Sequence, residues 1–122
     1  VGISVPKAMY DDFVEICKPV KDINLEYPFE VTIAQPRKKP TTMGGTDASV
    51  FAVKGVPTYG FREQDFKGYN FNYSEIWHTE RDLYTKSIPE YMEHTSVVTA
   101  IVALGVANLK HQLSREGMYT DQ

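Results

Sequence analysis

The stretch SIPEYMEHTSVVTAIVALGVANL, residues 87–109, decides the fold of this chain. Its first four residues, Ser87-Ile88-Pro89-Glu90, match a capping box in which serine is the N-cap and glutamate follows three residues later. Proline is tolerated in a first helical turn, so the sequence predicts a helix from about 88 to 113. The middle of this helix is apolar on nearly every side, which predicts burial on most sides. A chain of 122 residues can hardly cover such a helix. We therefore expect it to pack against further polypeptide or to form a broad partner interface.

The first 33 residues predict a helix followed by a strand. Ser4 precedes Val5-Pro6, and apolar residues then recur at helical spacing, which predicts a helix with Ser4 as its N-cap and an end near Lys18. Residues 29–33 alternate apolar and polar side chains with period two, as a strand with one buried face does.

The middle of the chain predicts a second helix and a second strand. Residues 48–53 suit a short helix that ends at Gly55, a usual C-terminal stop. Residues 56–61 read as a strand whose proline lies near its start, where proline is tolerated. The order helix, strand, helix, strand, helix favours an α/β layer structure.

Composition limits the classes of protein to which the chain can belong. Its length fits one segment over residues 1–122, and 42% of its residues are hydrophobic, enough for a real core. There are 13 basic and 16 acidic residues, for a net charge of −3. No basic cluster is larger than residues 37–39, which argues against nucleic acid as a partner. No apolar run approaches the roughly 18 residues of a membrane span. The lone Cys17 is expected to be a small buried residue.

Residues 62–77 form a connection long enough to suggest a function. It contains five aromatic residues: Phe66, Tyr69, Phe71, Tyr73 and Trp77. Aromatic rings are costly to leave in water and are expected to pack somewhere. One interpretation is a satellite core beneath the loop. The other is a wall of a substrate pocket, formed by Phe71, Tyr73 and Trp77, or a subunit contact.

Three histidines and one cysteine limit what metal the chain can hold. A catalytic zinc normally takes three protein ligands. His94 and His111 are predicted to lie roughly 25 Å apart on the last helix, as surface residues, so they cannot share one ion. His78 could recruit a nearby carboxylate. The candidate carboxylates are Asp47, Asp65, Glu75, Glu80 and Asp82. Either His78 is an ordinary loop histidine, or its partners lie outside this chain.

Three short motifs carry a resemblance to a known family. GTDASVF at 45–51, GVPT at 55–58 and HTERD at 78–82 stand in this order ahead of the long apolar helix. Together they resemble the closing half of the di-zinc exopeptidases, which include bacterial aminopeptidases and carboxypeptidase Q. The likeness covers roughly residues 40 to 113.

The resemblance implies a role for several residues. In that family the loop histidine is the last zinc ligand, which implies this role for His78. Asp47 and Asp82 are the candidates to accept a hydrogen bond from its other ring nitrogen and orient it. The family's other ligands and its general-base glutamate lie earlier in sequence, in a part with no counterpart here. Two zinc ions per complete site are implied, roughly 3.5 to 4 Å apart and sharing a water.

The resemblance also implies an architecture and a setting. The chain would be the C-terminal part of a peptidase catalytic domain, forming part of a three-layer α/β/α sandwich. It would be inactive alone and would need the missing N-terminal half to act on a peptide or dipeptide. Family members of this branch are often exported, which implies an extracytoplasmic setting. A homo-oligomer is a further possible partner assembly.

Departures from the family pattern leave two other functions open. Trp77 stands where many members have tyrosine, Ala48 where many have histidine, and Leu83 where the family has threonine. The first alternative is a non-catalytic relative that serves as a binding or dimerisation module. The second is a single-zinc acyltransferase of the glutaminyl cyclase type.

Overall fold

The computed structural model describes residues 1–121 of the chain, which form a mixed α/β structure. Three short strands make one sheet in the order β2-β1-β3. The strands are β1 (Gly2–Val5), β2 (Glu30–Ile33) and β3 (Phe61–Arg62), and the helices are α1 (Tyr10–Ile16), α2 (Val20–Ile23), α3 (Ala48–Val53), α4 (Tyr73–Ile76) and α5 (Pro89–Ala107). Single 3-10 turns lie at Lys7–Met9 and Tyr84–Lys86.

The central strand β1 corrects the predicted start of the first helix. Ser4 lies within this strand, pairs with Thr32 of β2, and is not an N-cap. β1 runs parallel to β2 and antiparallel to β3. Its alternation places Ile3 and Val5 in the core, 3% and 0% exposed, while the Ser4 and Thr32 hydroxyls hydrogen-bond at 2.6 Å. Four residues are too few for the alternation of apolar and polar side chains in β1 to be recognised in the sequence. The strand forms because both of its edges pair with another strand.

The main core lies between β1, α1 and α5. The predicted helical spacing is confirmed for Met9, Phe13 and Cys17, all of which are buried. Val98 and Val102 of α5 and Met118 and Tyr119 near the chain end complete this cluster. Burial raises the pKa of the Cys17 thiol to about 11.

The second predicted strand is largely absent. The predicted helix 48–53 and its stop at Gly55 are confirmed, the glycine taking a left-handed φ of +74°. Of the predicted strand 56–61, only Phe61 pairs in the sheet, together with Arg62. Pro57 lacks the N–H that a ladder needs, and the Tyr59 hydroxyl instead donates to the sulfur of Met9 at 2.9 Å.

Helix α5 is shorter and less enclosed than its sequence predicts. It ends at Ala107 with Asn108 as its C-cap, six residues before the predicted end. The capping box does not form, because the N-cap is Ile88 and the Ser87 hydroxyl donates to Tyr84 O at 2.7 Å. One face is buried, through Tyr91, His94, Val98 and Val102, and the opposite face is exposed. No helix within residues 1–121 is long and apolar enough to cross a membrane.

Candidate functional site

His78 lies on a tight turn that follows α4. Asn72 begins this helix, its side chain accepting a hydrogen bond from the Ser74 amide at 3.2 Å. The Trp77 amide closes the helix by donating to Tyr73 O. His78 itself takes a left-handed φ of +55°, a conformation that costs an ordinary residue about 1–2 kcal/mol.

Thr79 holds the chain in this turn. Its amide donates to Ile76 O at 3.1 Å and its hydroxyl donates to the same carbonyl at 2.8 Å. The hydroxyl oxygen also accepts from the Arg81 amide at 3.2 Å. These local bonds fix the backbone on both sides of His78. The surrounding structure therefore holds this residue in its strained left-handed conformation.

The His78 ring stacks on its neighbour and faces solvent. The Trp77 and His78 ring centres are 4.1 Å apart with planes 16° apart, and Tyr73 stacks on Trp77 at 6.2 Å. Tyr73 and Trp77 are 60% and 54% exposed. Stacking restricts the orientation of the imidazole while leaving it accessible to a ligand.

The other predicted site residues lie in two different places. Phe71 and Asp82 line the same cavity, of about 340 Å³, against the start of α5. The Asp82 amide donates to Thr79 O at 3.2 Å, so this residue belongs to the His78 turn. Asp47 is the N-cap of α3, exposed, and its side chain makes no capping hydrogen bond. No hydrogen bond among residues 1–121 joins either carboxylate to His78.

The described residues do not supply a complete metal site at this turn. Within residues 1–121 no group of three or more His, Cys, Asp or Glu side chains could hold a metal ion. An exposed imidazole is a ligand that zinc binds readily. His78 therefore fits a zinc site as one ligand, provided that the others come from outside the described residues.

Asp65 organises the first half of the connection. Its carboxylate accepts hydrogen bonds from the amides of Tyr69 at 2.8 Å and Phe71 at 3.0 Å, and from the Tyr91 hydroxyl at 2.8 Å. Partial desolvation acts to raise the pKa of Asp65, but these hydrogen bonds lower it below its ordinary value. A carboxylate engaged in this way is committed to the loop and is not free to bind a metal.

A second cluster of polar side chains, around Glu90 and Lys67, lies near Asp65 at the start of α5. The Glu90 carboxylate accepts from the Lys67 ammonium at 2.7 Å and from the Tyr27 hydroxyl at 2.5 Å. Hydrogen bonds from Lys67, Tyr27 and Tyr69 lower the pKa of Glu90 to about 2. The same pairing raises the pKa of Lys67, and burial together with Glu90 raises that of Tyr27 to about 12.

Some aromatic residues of the connection form a satellite core, and others are exposed as a pocket wall would be. Phe66 stacks on Tyr91 at 5.6 Å and meets Tyr27 edge-on at 4.8 Å, and Tyr69 lies 5.5 Å from Tyr91. These rings form a satellite cluster. Tyr73 and Trp77 remain exposed beside His78, where they could contact a ligand.

His94 is buried, which makes its prediction as a surface residue wrong. It is 5% exposed beneath the Tyr27 ring, with the two ring centres 4.3 Å apart. Within residues 1–121 neither ring nitrogen has a hydrogen-bond partner. His111 is exposed, as predicted, but lies beyond the end of α5, with Nε2 2.9 Å from a carboxylate oxygen of Asp12.

Comparison with known proteins gives no match: no family model fits the sequence, and neither curated proteins nor solved structures match it.

Sequence reasoning missed the polar anchors of the connection. One local signal was present, because Asp65-Phe66-Lys67-Gly68 is a composition typical of turns in which aspartate bonds to the backbone that follows it. The partners Tyr91 and Glu90 lie more than 20 residues away. Their pairing with the loop depends on tertiary structure.

Proposed function

We propose that this chain is the C-terminal segment of the catalytic domain of a zinc-dependent exopeptidase, with His78 as a zinc ligand. The observation that carries the proposal is the exposed His78 imidazole, held on a strained backbone by Thr79 and by its stack on Trp77. Strain of this kind clusters at functional sites, where the surrounding structure maintains it. The three motifs around it resemble the family in which this histidine binds zinc.

The proposed architecture extends the sheet described above. The β2-β1-β3 sheet, with α1 and α5 packed on its core face, would form part of a three-layer α/β/α sandwich. The remaining strands and zinc ligands would come from polypeptide that precedes this chain. The exposed apolar side chains of α5 are consistent with a surface that further polypeptide covers.

Each residue of the site then has a distinct task. His78 binds the metal through one ring nitrogen, and Asp47 or Asp82 accepts a hydrogen bond from the other. Phe71, Tyr73 and Trp77 contact a side chain of the peptide substrate. Zinc, when bound, lowers the pKa of a water and polarises the peptide carbonyl. The setting we infer is extracytoplasmic, with peptides or dipeptides as substrates.

The test is hydrolysis of a dipeptide panel by the full-length protein. His78→Ala is predicted to lower kcat/KM at least about 100-fold, because even indirect partners of metal ligands cost 10–100-fold when removed. His111→Ala is the matched control, since it removes another exposed histidine whose contact is with Asp12. Equal turnover in the two variants would contradict the role of His78, and a wild-type protein without turnover would favour a non-catalytic binding module.

A further inference from the structure

The hydroxyl of Tyr91 lies where the connection crosses the first turn of α5. The residue is 6% exposed, so its hydroxyl is largely withdrawn from water. It donates to the Asp65 carboxylate at 2.8 Å and accepts from the Lys67 amide at 3.1 Å. One hydroxyl thus binds both a side chain and a backbone group of the connection.

Asp65 carries this attachment further along the loop. Besides Tyr91, its two oxygens accept from the amides of Tyr69 and Phe71. The loop from 65 to 71 is therefore closed on itself and fastened to α5 by one carboxylate. The neighbouring Lys67 ammonium and Glu90 carboxylate add a second attachment to the same helical turn.

The segment between Phe71 and His78, the candidate zinc ligand, is held by hydrogen bonds among its own residues. Asn72 caps α4, the Trp77 amide bonds back to Tyr73, and Thr79 fixes the turn at His78. These bonds make residues 72–79 a unit with little internal freedom. Its position is then determined by where residues 65–71 are fastened.

We propose that Tyr91 and Asp65 form a clamp that fastens the connection to α5 and sets the position of His78. Tyr91 is a positioning residue in this arrangement, because it acts on the metal ligand through the loop. The consequence for zinc affinity rests on the proposed function, whereas the clamp itself does not.

Tyr91→Phe tests the clamp with little disturbance of packing. The variant keeps the ring that packs against Phe66, Tyr69 and Tyr27, and it removes only the hydroxyl. In the full-length protein, hydrogen exchange of residues 66–79 is predicted to become about tenfold faster, because two hydrogen bonds that order the loop are lost. Exchange of residues 98–107 in α5 should be unchanged.

Tyr59→Phe is the matched control. It removes another partly buried tyrosine hydroxyl, which is bonded to the Met9 sulfur in the main core and makes no hydrogen bond with Asp65 or Lys67. Exchange of 66–79 should not change in this variant. Equal exchange in the two variants would overturn the clamp.

Zinc affinity separates the clamp from its consequence. Tyr91→Phe is predicted to weaken zinc binding about tenfold, in the range typical of indirect partners of metal ligands. Faster exchange with wild-type zinc affinity would overturn the positioning role. Faster exchange in a protein that binds no zinc would support the clamp and contradict the proposed function alone.

Discussion

His94 is a buried imidazole whose two ring nitrogens have no hydrogen-bond partner in the part of the chain that the structure describes. A polar group buried without a hydrogen bond costs stability, and a charged one costs more. Burial is the main reason that the pKa of His94 is lowered from its ordinary value of 6.5. Within residues 1–121 no carboxylate lies at hydrogen-bond distance from the imidazole, one face of which is covered by the Tyr27 ring, and the positive N-terminus lowers the pKa of His94 further. The folded protein therefore prefers the neutral form.

The unfolding free energy is predicted to fall as the pH drops below about 6.5. The unfolded chain binds a proton on His94 more readily than the folded chain does, so acid favours unfolding. His94→Leu should remove this part of the pH dependence and raise stability at pH 7.5 by about 1 kcal/mol, the lower end of the cost of an unpaired buried polar group. Urea denaturation at pH 5.5 and 7.5 measures both effects. An identical pH dependence in the two proteins would contradict this explanation.

Helix α5 packs closely against α1 at Gly105. A Cβ built at this glycine would lie 2.5 Å from the Cγ2 atom of Ile16. Glycine lowers helix stability by about 1 kcal/mol relative to alanine at an ordinary position. Its presence in the last turn of α5 is explained by the space that the Ile16 side chain of α1 needs.

Gly105→Ala is predicted to destabilise the protein by roughly 1–3 kcal/mol, the usual cost of overpacking. Ile16→Ala removes the side chain with which the new Cβ would clash. In the double variant the alanine at 105 should therefore be neutral or favourable, and a double-mutant cycle measures the coupling. Additive effects of the two substitutions would contradict the close packing of these helices.

The sequence predicted correctly the helices and strands that have a strong local pattern. The helix 48–53, the strand near 29–33 and the existence of α5 are confirmed. β1 and the true extent of β3 could not be read from local pattern, because each depends on pairing with a strand distant in sequence. The end of α5 was predicted too late because apolar periodicity continues through Leu109, whereas Asn108 is already its C-cap.

At the level of the whole molecule, an apolar surface remains uncovered. Val97 and Leu104 on the outer face of α5 are 38% and 64% exposed, and Ala100, Ala103 and Ala107 lie exposed on the same face. Contiguous apolar surface of this kind promotes association. It belongs to the same helix that the sequence predicted to need more cover than 122 residues provide.

The isolated 122-residue chain is predicted to self-associate through this face. Val97→Lys combined with Leu104→Glu should shift it towards monomer, because each charge would be costly to bury in an apolar contact. Sedimentation velocity over a range of concentrations measures the change. Leu25→Glu is the matched control, since it places a charge on a leucine that is 90% exposed elsewhere. A monomeric wild-type chain, or an equal effect of the control, would contradict the assignment of this face.

The candidate site was predictable in part, because some of its residues are close together in sequence. His78, Trp77 and Tyr73 are near neighbours in sequence, and the structure stacks their rings. The roles of Asp47 and Asp82 stay predictions, because the described residues include no complete metal site. The anchors Asp65 and Tyr91 required the tertiary structure.

The most direct test of the central claim is the zinc content of the full-length protein. Metal analysis after removal of loosely bound ions should find about two zinc ions per complete site. His78→Ala should lose one of them, while His111→Ala keeps both. A wild-type protein without zinc, or a His78→Ala variant with an unchanged zinc content, would contradict the assignment of His78 as a zinc ligand.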